Sequence, residues 1–238
     1  MTTFYFIRHG QAGSRENYDR LSDLGREQAV LLGRHLVEGQ TRLTAVYSGT
    51  MVRQRGTADL ACEELKRHGL FEGEVKPDER WNEFILASVY RFYGPRMAEE
   101  DPEFSRDLRE MHEVIKRDPH AVGGAPGRCD RAVIMAWIAN RYPDYTGESW
   151  KRFTDRITCA REMLNAHEGD EAVAVFTSAT PISFLTMKAL EMPDEKIIRV
   201  AGVLYNSGIT VMRTLRDDMR LFTFNAASYL PDEKRTFR

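Results

Sequence analysis

Phe4-Tyr5-Phe6-Ile7-Arg8-His9-Gly10 places four large apolar side chains directly before a cation, an imidazole and a glycine. A short aromatic and β-branched run of this kind reads as a buried strand. Its C-terminal tip then carries Arg8 and His9, at the end where open α/β sheets bind ligands. A neutral histidine held in one tautomer is a good nucleophile toward phosphorus. An adjacent arginine offers a planar fork for phosphate oxygens. Gly10 allows the backbone to approach a ligand. Taken alone, the tripeptide also fits an ordinary strand end with an exposed Arg-His pair.

Working outward, Ser22-Asp23-Leu24-Gly25 reads as the capped start of a helix that ends near Gly39, after a polar loop from Gln11 to Leu21. Leu43 to Tyr47 reads as a second strand. Ser48-Gly49 then turns into a helix from about Thr50 to His68, closed by Gly69. A short strand around Val75 precedes Arg80-Trp81-Asn82-Glu83-Phe84. From Phe84 to about Gly147 the patterns are helical (Phe104 to Lys116, Arg131 to Arg141), separated by joints such as Gly123-Gly124-Ala125-Pro126-Gly127. Another helix runs from Glu148-Ser149 to about His167. Ala172 to Thr177 is a buried strand, followed by a helix with Thr180 as cap and Pro181 in its first turn. Gly208 to Leu215 and Arg220 to Asn225, joined at Asp217-Asp218, read as an antiparallel edge hairpin. The alternation predicts an α/β fold: a mostly parallel sheet with helices on both faces. Residues 1–238 form a single domain in this reading, with a helical insertion at about 84–147 covering the sheet.

The bulk properties exclude several classes. The chain has 238 residues, 42% hydrophobic, and a net charge of −2. It can bury a sizeable core and has no bulk attraction to nucleic acid or an anionic membrane. The three cysteines, Cys62, Cys129 and Cys159, are too scattered for a disulfide framework or a zinc site, which suits a reducing cytoplasm. Cys62 and Cys159 fall in helical patterns and read as core. No signal peptide or membrane span is expected. The sequence leaves a homodimer open.

In such a fold four strand ends bring polar groups together: Arg8 and His9; Ser48 with Arg53 on the next helix; Glu83; and Ser178 with the helix N-terminus behind it. A nucleophile, two cations, a carboxyl group and an oxyanion cradle are the parts needed for phosphoryl transfer through a phosphohistidine.

The chain resembles the histidine phosphatase superfamily, also called phosphoglycerate mutase-like. The resemblance rests on Phe6-Ile7-Arg8-His9-Gly10-Gln11 and on Leu21-Ser22-Asp23-Leu24-Gly25 with Gln28-Ala29 and Leu32-Gly33. It continues in Ser48-Gly49 with Arg53-Gln54 and Thr57-Ala58, Asn82-Glu83-Phe84, Gly147-Glu148-Ser149 with Arg156, and Asn206-Ser207. It implies that His9 becomes phosphorylated, that Arg8 and Arg53 bind the phosphoryl group, and that Glu83 protonates the leaving oxygen and then activates water. It implies no metal or cofactor and a small phosphorylated substrate. Gly10, Ser178 and, in the loop, Asn17 or Ser14 are further candidate phosphate contacts. The chain departs from the family where the strand closes at Thr177. The usual Ser-His-Gly-Gly is here Ser178-Ala179-Thr180-Pro181, and no histidine follows His167. Ser178 thus stands where a second histidine is expected. This points to a slow or specialised phosphatase. The alternatives are a mutase of the phosphoglycerate type and a protein that only binds a phosphorylated ligand. The insertion, with Tyr90, Arg91, Tyr93 and Arg96, is expected to set specificity.

Overall fold

A computed structural model of the chain describes residues 1–13, 18–118, 121, 123–215 and 218–237. The chain divides into two compact units, residues 1–83 with 157–238, and residues 84–156.

The first unit is built on a six-stranded sheet. The strands are β1 (Thr3–Arg8), β2 (Ala45–Ser48), β3 (Val75–Pro77), β4 (Ala172–Thr177), β5 (Ile209–Leu215) and β6 (Asp218–Ala226), in spatial order β3-β2-β4-β1-β5-β6. The first three neighbour pairs are parallel, and β5 and β6 add antiparallel to β1. This is the mixed, mostly parallel α/β sheet with an antiparallel edge that the alternation predicts. Its register matters for the site. Arg8 lies opposite Thr177, and Ser48 lies opposite Phe176, so three parallel strands end side by side.

Strand alternation explains the core. Ile7, Val46, Ala174 and Phe176 pack with Leu32 and Leu36 of α1 (Asp23–Glu38) and with Ala58, Ala61, Cys62 and Leu65 of α2 (Val52–Arg67). Phe4 and Phe6 alternate with Tyr5 and Ile7. Phe6 meets the buried ring of Trp81 with centroids 5.9 Å apart. Burying side chains of this size stabilises the fold by roughly 1.5–3 kcal/mol each. Ser22 caps α1 through Oγ, which accepts from Gly25 N at 3.0 Å, and Gly69 closes α2 with φ +67°.

Some boundaries differ from expectation. β2 begins at Ala45 because Leu43 N donates to Leu70 O rather than to the ladder. The helix after β4, α7 (Ala179–Ala189), starts directly behind Ser178, not behind Thr180. Ser178 is its cap residue but its side chain makes no capping bond; instead the Glu83 carboxylate accepts from Thr180 N at 3.1 Å. A cap delivered from another segment leaves no local signature. Cys159 is exposed, contrary to its core reading, whereas Cys62 and Cys129 are buried. A short helix, α8 (Ile197–Ala201), leads into the hairpin.

The second unit holds α3 (Leu86–Glu100), α4 (Pro102–Arg117) and α5 (Gly124–Ile138); α6 (Trp150–Met163) begins in it. Helix α3 carries Pro95 in its interior, so proline punctuation hid it from the pattern reading. The expected Gly123–Gly127 joint is instead the N-cap and first turn of α5. Asp101 caps α4 through bonds from Glu103 N and Phe104 N. Phe84, Trp137, Trp150 and Phe153 cluster, Phe84 stacking on Trp137 at 4.5 Å. Tyr93 is buried, Tyr90 Oη donates to Asp130 Oδ1, and Arg96 pairs with Asp144. Among the described residues, no helix is long and apolar enough to cross a membrane.

Candidate active site

His9 extends β1 by one residue, and its backbone is held on both sides. Its N–H donates to Thr177 O at 2.9 Å, and its carbonyl accepts from Asn206 Nδ2 at 3.2 Å and Ser207 N at 3.3 Å. The ring is equally constrained. Nδ1 lies 2.7 Å from Gly10 O, an atom that can only accept, so Nδ1 carries the proton. Nε2 is left with its lone pair, which accepts from Arg53 Nε at 3.1 Å. Burial first, then the charges of Arg53 and Arg8, hold the His9 pKa well below the usual histidine value, with Gly10 O opposing. The imidazole is therefore a neutral base with Nε2 directed at the Arg53 guanidinium.

Arg53 is buried on the first turn of α2. Besides His9 it donates from Nη1 to Asp19 Oδ1 at 3.0 Å, and its guanidinium lies 4.9 Å from the centre of the Tyr18 ring. Asp19 Oδ2 also accepts from Val52 N at 3.2 Å. A carboxylate thus already sits where a guanidinium and the helix N-terminus converge, which is how oxyanions are bound. Arg8 is buried too, and its Nη1 donates to Leu204 O and Phe237 O, the latter at 2.8 Å. Its Nε is buried without a partner among the described residues. Burial holds the Arg8 pKa below its ordinary value, with Tyr18 and Glu83 opposing the shift and Arg53 adding to it.

Ser178 is buried at the tip of β4, and its Oγ accepts from Gln54 Nε2 at 2.8 Å. Glu83 reaches the first turn of α7 through its bond from Thr180 N. The structure therefore brings Arg8, His9, Arg53, Glu83 and Ser178 to one end of the sheet. The Gly10 N–H donates to Thr57 Oγ1 at 3.0 Å, and a Cβ on it would lie 2.3 Å from Gly25 O. The missing side chain makes room for α1. Asn17 and Ser14 lie outside the described residues. Among the described residues, no group of three or more His, Cys, Asp or Glu side chains is placed to hold a metal ion.

Residues without an assigned role in the sequence complete the site. Gln54 follows Arg53 directly, yet only the fold shows that its amide faces β4. Asp19 reads as a solvated loop carboxylate. The C-terminal segment also arrives here: Thr236 Oγ1 donates to Asn206 Oδ1 at 2.9 Å, and Gln28 Nε2 donates to Thr236 Oγ1 and Lys234 O.

Comparison with known proteins identifies the family. The family model of the histidine phosphatase superfamily (branch 1) matches residues 4–126 and 128–227. Among solved structures, YhfR of Bacillus stearothermophilus superposes with a TM-score of 0.64 at 18% identity, over 96% of this chain and 99% of that one. A mutant phosphoserine phosphatase from Entamoeba histolytica, crystallised with phosphoserine, gives 0.63 at 16% identity, over 97% and 100%. A mycobacterial glucosyl-3-phosphoglycerate phosphatase with inorganic phosphate gives 0.62 at 20% identity, over 96% and 99%. A 61-residue stretch is 38% identical to the mitochondrial serine/threonine-protein phosphatase Pgam5 of Caenorhabditis briggsae, covering 26% of this chain and 22% of that protein. With a match over nearly all of its length, the chain belongs to the histidine phosphatase superfamily, branch 1.

Proposed function

We propose that this protein is a phosphatase that hydrolyses a small phosphomonoester through a phosphohistidine on His9. The observation that carries the reading is the state of the imidazole: Nδ1–H anchored on Gly10 O, a lowered pKa, and Nε2 directed at Arg53. In the first step the Nε2 lone pair attacks phosphorus, a P–N bond forms, and the P–O bond to the leaving group breaks. Arg8 and Arg53 balance the charge on the phosphoryl oxygens. Arg53 must release Nε2 and Asp19 as the phosphoryl group, with its greater charge, takes their place. Glu83, in its acid form, donates a proton to the leaving oxygen. Water then attacks phosphorus while Glu83 takes its proton, the P–N bond breaks, and phosphate departs with His9 neutral again. No metal or cofactor enters these steps.

Ser178 stands where the family resemblance expects a second histidine. Losing one charged or strong donor to a developing oxyanion costs about 3–4 kcal/mol, or roughly 10²–10³ in rate. The Ser178 hydroxyl and the N–H groups of α7 offset part of that loss. The same substitution favours a second reading, a protein that holds a phosphorylated ligand without turning it over.

Hydrolysis of a chromogenic aryl phosphate separates the two. The wild-type protein releases phosphate, the His9→Ala protein releases none above background, and wild type quenched in alkaline denaturant carries phosphorus on the His9 ring. Tight phosphate binding with no turnover in either protein supports the binding reading instead. Isomerised product from a phosphoglycerate, in place of free phosphate, points to a mutase.

A further inference from the structure

We infer that Gln54 is a positioning residue which fixes the direction of the Ser178 hydroxyl, so that the Gln54–Ser178 pair supplies the phosphoryl hydrogen bond at the tip of β4. The inference rests on the reading of this site as a phosphoryl-transfer centre.

The orientation of the Gln54 amide follows from its neighbours. Its Nε2 lies 3.2 Å from Trp81 O and 2.8 Å from Ser178 Oγ. The carbonyl can only accept, so the atom facing it must be the NH₂ group. A flipped amide would set two oxygens against each other. Trp81 O is itself held, since it also accepts from Thr177 Oγ1. The amide keeps this orientation although Oε1 is then buried with no partner among the described residues, at a cost of about 1–3 kcal/mol. Gly49 gives the amide its room: a Cβ there would lie 1.9 Å from Gln54 Oε1.

The consequence falls on Ser178. A hydroxyl has one proton to donate and two lone pairs. One lone pair of Ser178 Oγ is occupied by the Gln54 N–H. Among the described residues its own proton has no acceptor, although the side chain is fully buried at 1% exposure. A buried hydroxyl that accepts from a fixed amide and donates to nothing among the described residues is a donor awaiting an acceptor. The serine alone would rotate freely; with Gln54 against it, the proton is directed away from the amide. Gln54 touches no reacting atom and acts only through Ser178.

The test is a double-mutant cycle read in two ways, by kcat and KM for an aryl phosphate and by inhibition with vanadate, which resembles the transition state. Ser178→Ala is expected to lower kcat about 10²-fold, with a small change in KM and a parallel loss of vanadate affinity. Gln54→Glu replaces the donor by an acceptor of the same size. It recaptures the Ser178 proton and is expected to give a loss of the same order. In the Ser178→Ala background Gln54→Glu should change little further. A comparable further loss there would mean that the new charge acts on the phosphoryl group directly, and would overturn the inference. Gln54→Met serves if the buried carboxylate prevents folding. It leaves the hydroxyl undirected and should give a smaller loss, again absent when Ser178 is alanine; additive losses overturn the inference in this form too. Where the wild type turns over no ester but vanadate affinity falls non-additively, the pair stands and the phosphatase reading alone fails. Absence of both turnover and vanadate binding would remove both.

Discussion

At the scale of single residues the site is governed by His9 and the two arginines around it. Burial and the positive charges of Arg53 and Arg8 oppose protonation of the ring, so the imidazole stays neutral in mildly acidic solution. The expected pH profile follows. His9 binds its proton less readily when folded than when unfolded, at an ordinary pKa of about 6.5. Its contribution to stability is therefore present above that value and declines as pH falls below it, because the unfolded chain takes up a proton that the folded one does not. Activity behaves otherwise: kcat/KM for an aryl phosphate should show no acid limb from His9 between about pH 7.5 and 5.5. A limb near 6.5 that disappears on chemical correction for substrate ionisation would leave the lowered pKa standing; one that persists would contradict it. Asp19 adds a further residue-scale feature. Its carboxylate holds Arg53 and Val52 N in the manner of the anion to come.

At the scale of elements, three strand-to-helix junctions carry the chemistry, and backbone contacts set their geometry. The β1–α1 junction brings backbone against backbone. A Cβ on Gly10 would fall 2.3 Å from Gly25 O, and one on Gly25 would fall 2.1 Å from Gln11 O. These are backbone atoms, which cannot rotate away as a side chain does. Gly10→Ala should thus destabilise by about 3 kcal/mol, the upper part of the usual range for overpacking. A lowered urea midpoint with unchanged m-value would register it. A shift smaller than about 0.5 kcal/mol would show that α1 can move off the strand. The junction after β4 works differently. Its helix receives the Glu83 carboxylate at Thr180 N, so the group proposed as proton donor also satisfies an orphan helix N–H.

At the scale of the molecule, distant parts of the chain converge on His9. Arg8 donates to the carbonyls of Leu204 and Phe237, and the His9 carbonyl is held by Asn206, which Thr236 bonds in turn. Gln28 of α1 joins the same network through Thr236 and Lys234. The segment 234–237 is thereby a strap across the back of the site. Thr236→Val removes the hydroxyl that serves both Asn206 and Gln28, leaving buried polar atoms unpaired at a cost of about 1–3 kcal/mol. Thermal unfolding should record that loss, and kcat should fall while KM changes little, since no substrate contact is removed. An unchanged kcat would mean that the strap supports the fold without aligning His9.

Much of this architecture was legible in linear order because its causes are local. The apolar run of β1, the Ser22 cap, the positive-φ Gly69 and the limits of β4 each depend on residues within a few positions of one another, and the Arg8-His9, Arg53 and Glu83 motifs sit directly beside the elements that carry them. Pattern reading failed where the cause lies far along the chain. Helix α7 begins where it does with a capping carboxylate 97 residues away, and Ser178 acquires its meaning from an amide 124 residues away. Arg8 is steered by a carbonyl 229 residues distant, and His167 is partly buried against Tyr47 and Glu171. Periodicity and capping are encoded by spacing of a few residues, so they survive in the unfolded string. Hydrogen-bond partners at a strand end are set by the sheet register, which exists only once the chain has brought β1, β2 and β4 together.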